Sequence, residues 1–343
     1  MLLCVTNAAA HDFEMDGIYY AIISSTYKTV LVTFNGNSSS YSDEYRGNVV
    51  IPKNVTYNNE TYSVTNIGGY AFYNCTGLTS ITIPNSVISI GDGAFRGCNG
   101  LTSVTIPNSV RSIGNWAFQG CTGLTNIVVD EGNSVYDSRD NCNAIIKTAT
   151  NRLIAGCRNT VIPGSVTTIG ESAFYGCTGL TNVTIPNSVT SIEGGAFQNC
   201  TRLKKVYISD LAAWCGIDFE DVSSNPLYHA HNLYLNGELV TELVIPDGVN
   251  EIKQYAFYDC TGLTTITIPN SVNNIGYEAF DNTTWYNNQA DGVVYAGKVL
   301  YKYKGSMPKN TNIQIKDGTQ SIAAKAFSSC TRFTSVKIGR AHV

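Results

Sequence analysis

Charge is scarce in this chain. Asp, Glu, Lys and Arg make up 14% of its 343 residues, against the ~25% usual for globular proteins. The formal net charge is −4, and no basic stripe runs along the sequence, which argues against nucleic acid as the main partner. No stretch approaches the ~20 apolar residues of a membrane-spanning helix, so no direct membrane insertion is expected. Histidine numbers only four. His229 and His231 form an HxH pair able to share a metal, but no third ligand accompanies them, and zinc-type CxxC spacing is missing. GxSxG, HExxH, phosphate-cradling glycine loops and a paired-carboxylate motif are also missing. The chain is therefore read as no enzyme, with no cofactor and no metal.

What the chain does have is a period. Phe72, Phe95 and Phe118 are 23 residues apart, as are Phe174 and Phe197, and Phe257 and Phe280. Each follows an alanine, and so does Phe327. A fixed period of this length means stacked copies of one small unit, and such a stack more often presents an extended surface than a catalytic pocket. Within a unit, Phe95, Cys98 and Leu101 lie three apart, which suits a short helical or 3-10 turn with one buried face. Val104 and Ile106 lie two apart, which suits a short strand. Proline then ends the strand, because it donates no N–H. Seven of the nine prolines (Pro52, Pro84, Pro107, Pro163, Pro186, Pro246, Pro269) hold this Ile-Pro position. Seven of the eleven cysteines (Cys75, Cys98, Cys121, Cys177, Cys200, Cys260, Cys330) hold the end of AFxxC. They read as a buried ladder of thiols acting as small hydrophobes.

The AFxxC string, together with LTSITIPNSV (78–87), LTSVTIPNSV (101–110), LTNVTIPNSV (180–189) and LTTITIPNSV (263–272), resembles the BspA-like leucine-rich-repeat family. This is the treponemal-type 23-residue class of bacterial surface proteins. The resemblance covers residues 49–338. It implies a curved, right-handed leucine-rich-repeat solenoid with a parallel β-sheet, exported to the cell surface. It further implies adhesion to proteins or glycans of a host or a neighbouring cell. The family has no shared catalytic residues and no fixed contact positions, so none is carried over. A structural spacer that presents another domain is the competing reading.

Along the chain, residues 1–10 read as a truncated signal peptide, with Ala8-Ala9-Ala10 as a small-residue cleavage pattern. Residues 11–70 read as an N-terminal β cap and first repeat-like unit. Asp16-Gly17 marks a hairpin there, and residues 57–63 stretch the first repeat. The solenoid is expected over 71–338. The period lengthens three times, near 130–160, 209–243 and 284–311, and each stretch carries a hairpin signal, at 148–151, 236–237 and 296–297. Such hairpins either widen the sheet or form a binding face. The string IGRAHV ending the chain matches a translated sequencing adapter, so 339–343 read as an artefact on a metagenomic fragment.

The outward strand positions are Ser80/Thr82, Ser103/Thr105, Asn126/Val128, Asn182/Thr184, Lys205/Tyr207, Thr265/Thr267 and Ser335/Lys337. This ladder of mostly neutral hydroxyls either contacts a glycan or extended peptide or simply suits exposed strands. It breaks at Arg202, Lys204, Lys205 and Tyr207, beside an insertion with Trp214, Asp218, Glu220 and Asp221. That spot is either a partner anchor or a set of charges paired with the insertion's carboxylates. The candidate ligand contacts are thus Lys204, Lys205 and Tyr207, with Ser80, Thr82, Ser103, Thr105, Asn182, Thr184, Thr265 and Thr267. Trp285, Tyr286, Tyr295, Tyr301 and Tyr303 form a second aromatic group that either stacks on sugars or packs the third hairpin. Cys142 and Cys157 flank the first hairpin symmetrically, which permits a cross-strand disulfide or two packed thiols.

Overall fold

The computed structural model describes residues 11–36, 44–328 and 330–338. The expected signal remnant and the terminal 339–343 lie outside these. The chain divides into two compact units: residues up to 180 together with 196–201, and residues 181–195 together with those from 202 onward. Both are stacks of solenoid turns.

In the first unit the Phe rings form the spine. Phe72 and Phe95 stack with centroids 5.0 Å apart and planes 8° from parallel, and Phe95 and Phe118 at 5.3 Å and 9°. The backbone keeps the same step: Phe72 N donates to Ala94 O and Phe95 N to Ala117 O. Around each ring the chain makes single 3-10-type turns, with Cys98 N donating to Phe95 O and Leu101 N to Cys98 O. The short strands then pair in parallel, Ser103–Ile106 with Asn126–Val129 and Gly47–Val50 with Leu78–Thr82. Their inward residues, such as Val104 and Ile106, are buried.

Each repeat also contributes a second strand that the two-residue spacing did not reveal. After the Ile-Pro turn, closed by Val87 N to Pro84 O and Val110 N to Pro107 O, the Ser-Ile dipeptides pair in parallel: Asn66-Ile67 with Ser89-Ile90, and these with Ser112-Ile113. Two residues are too few to show an alternation in sequence. The turn serines are tied to the preceding repeat, with Ser86 Oγ donating to Val64 O at 2.7 Å and Ser109 Oγ to Val87 O at 2.6 Å.

The cap forms as expected. Phe13–Met15 and Ile18–Ser24 make the Asp16-Gly17 hairpin, and Thr29–Thr33 adds a third strand. Tyr45 seals it to the stack. Its ring lies 4.6 Å from that of Phe72, and its hydroxyl donates to Thr33 O. The stretched segment at 57–63 is a further hairpin, Asn54–Tyr57 against Glu60–Ile67, turning through Asn58 and Asn59 with φ of 49° and 63°. Asparagine tolerates that left-handed geometry.

All three expected insertion hairpins are present, and all three join the sheets. Ala144–Lys147 pairs with Arg152–Gly156, which continues in parallel onto Thr168–Ile169. In the second unit Leu233–Leu235 pairs with Glu238–Leu239 and with Lys205–Ile208. Gly292–Ala296 pairs with Val299–Lys304, which pairs with Ser321–Ile322. The Phe257 and Phe280 rings there repeat the stack at 5.4 Å and 3°.

One backbone feature recurs without a matching residue type. The residue before each Ala-Phe pair is left-handed: Tyr70, Gly93, Trp116, Ser172, Gly195, Tyr255, Glu278 and Lys325, with φ between 53° and 63°. Of the residue types found at this position, only glycine holds that conformation without strain. Glu278→Gly should therefore raise stability by about 1 kcal/mol. A chemical melt in which the variant unfolds at lower denaturant than the parent would contradict this.

Candidate binding surface

The residues expected to face outward do so. Ser80 pairs in register with Asn48 and Thr82 with Val50, and Ser80 Oγ donates to Asn48 Oδ1 at 2.6 Å. Ser103 stands opposite Asn126 and Thr105 opposite Val128. In the second unit Asn182 pairs with Lys205 and Thr184 with Tyr207, while Thr265 pairs with Glu242 and Thr267 with Val244. Another threonine column, one residue after each leucine, is structural. Thr125 Oγ1 donates to Thr102 O at 3.1 Å and Thr264 Oγ1 to Thr241 O at 3.0 Å.

Lys205 and Tyr207 come together with one residue that sequence reasoning missed, Tyr234, and Lys204 is the exposed residue just before their strand. The strand Leu233–Leu235 brings Tyr234 beside Tyr207, ring centroids 5.1 Å apart, and Lys205 Nζ lies 5.3 Å from the Tyr234 centroid. A lysine over a tyrosine face is held by the ring quadrupole, so the cation is oriented without being neutralised. The alternation Leu-Tyr-Leu, matching Val-Tyr-Ile at 206–208, was the available signal.

The acid-containing insertion does not neutralise this spot. Among the described residues no ion pair joins Lys204 or Lys205 to Asp218, Glu220 or Asp221. Two of these carboxylates are committed to backbone: Glu220 Oε2 accepts from Gly194 N at 2.8 Å, and Asp221 Oδ1 from Ser224 N at 2.7 Å. Trp214 is corrected from a possible anchor to core. It lies in the helix Leu211–Cys215, is 1% exposed, and donates from Nε1 to Ala256 O.

The second aromatic group packs the third hairpin. Tyr301 is buried, donates to Asp281 Oδ1 at 2.6 Å and accepts from Phe280 N, and Lys302 pairs with Asp281. Trp285 packs against Phe280, Tyr286 against Tyr301, and the Tyr295 hydroxyl accepts from Lys316 N.

The thiol ladder is buried up to Cys260, and Cys330 is half-buried. Three of the thiols are aimed at the preceding Phe carbonyl: Cys98 Sγ donates to Phe72 O at 2.9 Å, Cys121 to Phe95 O at 3.0 Å and Cys200 to Phe174 O at 3.1 Å. Burial pushes the Cys121, Cys200 and Cys260 thiols up to about 12, so they stay protonated and unreactive at neutral pH.

The cross-strand bridge between Cys142 and Cys157 is not formed; both are free, buried thiols. The register shift at Ile145/Ile146 adds Ile154 to one strand, so the pairing runs Ala144 to Gly156 and the two cysteines are offset by one. Cys157 Sγ points to Asn143 O at 3.5 Å instead.

His229 and His231 occupy different backbone settings. His231 closes the helix Leu227–Ala230 in the left-handed conformation and meets Asp259 O, whereas His229 Nε2 is buried without a hydrogen bond. Burial, and then His231, hold the His229 imidazole below its usual range. Among the described residues no group of three or more His, Cys, Asp or Glu is placed to hold a metal, and no helix is long and apolar enough to cross a membrane.

Comparison with known proteins agrees with this architecture. No curated protein matches the chain. Among solved structures it is similar to a leucine-rich repeat protein from Bacteroides ovatus, at 24% identity over 96% of this chain and 76% of that one, with a TM-score of 0.45. It is also similar to a leucine rich cell surface protein from Faecalibacterium prausnitzii, at 23% identity over 82% and 93%, TM-score 0.37. A third is the pneumococcal vaccine antigen PcpA, at 15% identity over 98% and 100%, TM-score 0.34. The model for the BspA type leucine rich repeat region matches in six copies, over residues 48–150, 154–216, 230–293 and 298–342. With most of its length matched, and with the Phe stack and Ile-Pro turns in place, the chain belongs to the BspA-type leucine-rich-repeat family.

Proposed function

We propose that this chain is an exported surface protein that binds host or neighbouring-cell proteins or glycans without covalent chemistry. The observation that carries the reading is the Lys205–Tyr207–Tyr234 cluster. It replaces hydroxyls by two adjoining aromatic rings and a cation with no acidic partner among the described residues, on an outward strand face. Aromatic and cationic side chains of this kind dominate binding energy in interfaces. The neighbouring hydroxyl positions supply adaptable hydrogen bonding but no anchor of their own. Buried, protonated thiols and backbone-committed carboxylates leave the described surface no evident nucleophile or acid–base pair, which supports binding over catalysis.

The test is surface-based binding of the full chain to matrix proteins and mucin glycans, beside Lys204→Ala/Lys205→Ala/Tyr207→Ala. Specific binding by the parent, weakened at least about tenfold in the variant, is expected, since anchor residues are worth more than ~1 kcal/mol each. Equal binding by both places the site elsewhere. Absence of binding across the panel favours the spacer reading.

A further inference from the structure

The string Tyr-Ala-Phe-Tyr occurs twice, at 70–73 and 255–258. In both places the first tyrosine is left-handed, with φ of 58° and 60°, and the two rings meet as a corner. Tyr70 and Tyr73 lie 5.7 Å apart at 81°, Tyr255 and Tyr258 6.1 Å apart at 85°. The fold does not require these rings. Other repeats hold Gly93 with Arg96 and Gly195 with Gln198 at the same places, and glycine is the unstrained choice at the first. A tyrosine there is kept against a backbone cost, and such cost is concentrated at ligand-binding positions.

In the second unit the corner is part of a row. Tyr277, from the following repeat, lies 5.9 Å from Tyr255 at 74°. Tyr228, from the short helix Leu227–Ala230, lies 6.4 Å from Tyr258 at 29°. Tyr228 is 37% exposed and the other three are half-buried, so the row lies at the surface. Among the described residues the hydroxyls of Tyr228, Tyr255 and Tyr258 make no hydrogen bond. Lys325 Nζ sits 4.4 Å from the Tyr277 centroid and covers one face of that ring, so the open stretch runs from Tyr255 through Tyr258 to Tyr228.

The rim of this stretch is acidic. Asp259 has no side-chain partner among the described residues. Glu278 acts on the rings from the following repeat: burial and then Glu278 push the Tyr255 hydroxyl up, and burial, Asp259 and then Glu278 do the same at Tyr258. An ionised carboxylate only accepts hydrogen bonds, so this rim suits a ligand rich in hydroxyl donors and repels an anion. Tyrosine supplies a rigid, flat apolar surface with a polar tip. The centre of a protein interface, by contrast, is depleted in Asp and Glu. We propose that the Tyr228–Tyr258–Tyr255 row binds a neutral oligosaccharide, its sugar rings packed on the tyrosine faces and its hydroxyls donating to Asp259 and Glu278. The site deepens the binding reading above and rests on it, but is separate from the lysine–tyrosine cluster.

The probe is a panel of neutral oligosaccharides built of hexoses, N-acetylhexosamines and fucose, each beside its sialylated form, titrated to about 1 mM against the full chain by ligand-observed NMR. Saturable binding of at least one neutral member is expected, with its sialylated form at least about tenfold weaker. Tyr255→Gly/Tyr258→Gln installs the pair that Gly195 and Gln198 form in another repeat. It should therefore melt no lower than the parent while losing at least about tenfold in affinity. Tyr255→Phe/Tyr258→Phe keeps both rings and should stay within about threefold of the parent. Lys204→Ala/Lys205→Ala/Tyr207→Ala should bind the sugar unchanged, although it is the variant expected to lose the binding described above, so the two sites can fail independently. No binding of any neutral member, equal binding by Tyr255→Gly/Tyr258→Gln, tighter binding of the sialylated forms, or loss in the lysine–tyrosine variant would each overturn the proposal.

Discussion

Phe95→Ala should cost about 3–5 kcal/mol in chemical denaturation, the range for truncating a fully buried aromatic. The ring is 0% exposed and stacks on Phe72 and Phe118 at once. Its removal leaves a cavity between two rings held in place by backbone bonds, Phe72 N to Ala94 O and Phe95 N to Ala117 O, so the stack cannot close over it. Because repeats are stabilised mainly by nearest neighbours, the loss falls on both adjoining interfaces. Phe327 provides the contrast. It is half-buried, and its nearest ring, Phe333, is 6.5 Å away and tilted. Phe327→Ala should cost less than about half as much. Equal costs at the two positions would mean that the rings are not coupled by stacking.

Gly276→Ala is the second large effect, expected at about 3 kcal/mol. A Cβ at Gly276 would sit 2.2 Å from Gln254 N and 2.7 Å from Lys253 C, both backbone. Backbone cannot swing aside as a side chain does. Relief requires the Asn274–Ile275 strand to move off Glu251–Ile252, and with it the bond from Gly276 N to Ile252 O, 2.7 Å. The exposed neighbour Asn273 serves as control, and Asn273→Ala should change stability by less than about 0.5 kcal/mol. If Gly276→Ala were equally silent, the close approach of these turns would not matter to the fold.

These two positions also show how unevenly the structure was legible. Phe95 announced itself by period alone, because the same ring must meet the same ring at every step. Gly276 did not, since other repeats carry Glu193, Lys253 and Ala323 at the equivalent place. The Ser-Ile strands were invisible for a different reason: two residues cannot display an alternation. The hairpins were readable from Asp16-Gly17 and Asn236-Gly237, whose turn geometry is local. Their fate was not, because joining a sheet depends on which neighbour is within reach. Trp214 looked like an interface anchor by residue type, yet the helix started by Asp210 turns it into the core. Tyr234 lay 27 residues from Tyr207 outside the 23-residue period, and only strand pairing joined them.

The sequence by itself determined the repeat, the buried Phe and Cys columns, the proline turns and the outward hydroxyls. Each of these follows from spacing within one unit, copied along the chain. Tertiary structure alone decided that Cys142 and Cys157 are offset by one across their hairpin and that Lys205 lies over Tyr234. Each of those outcomes depends on a change of spacing: one residue gained at Ile154, and a step of 27 residues instead of 23 from Tyr207 to Tyr234. Such a change costs little in local pattern, but it shifts which backbone groups find a partner across the stack.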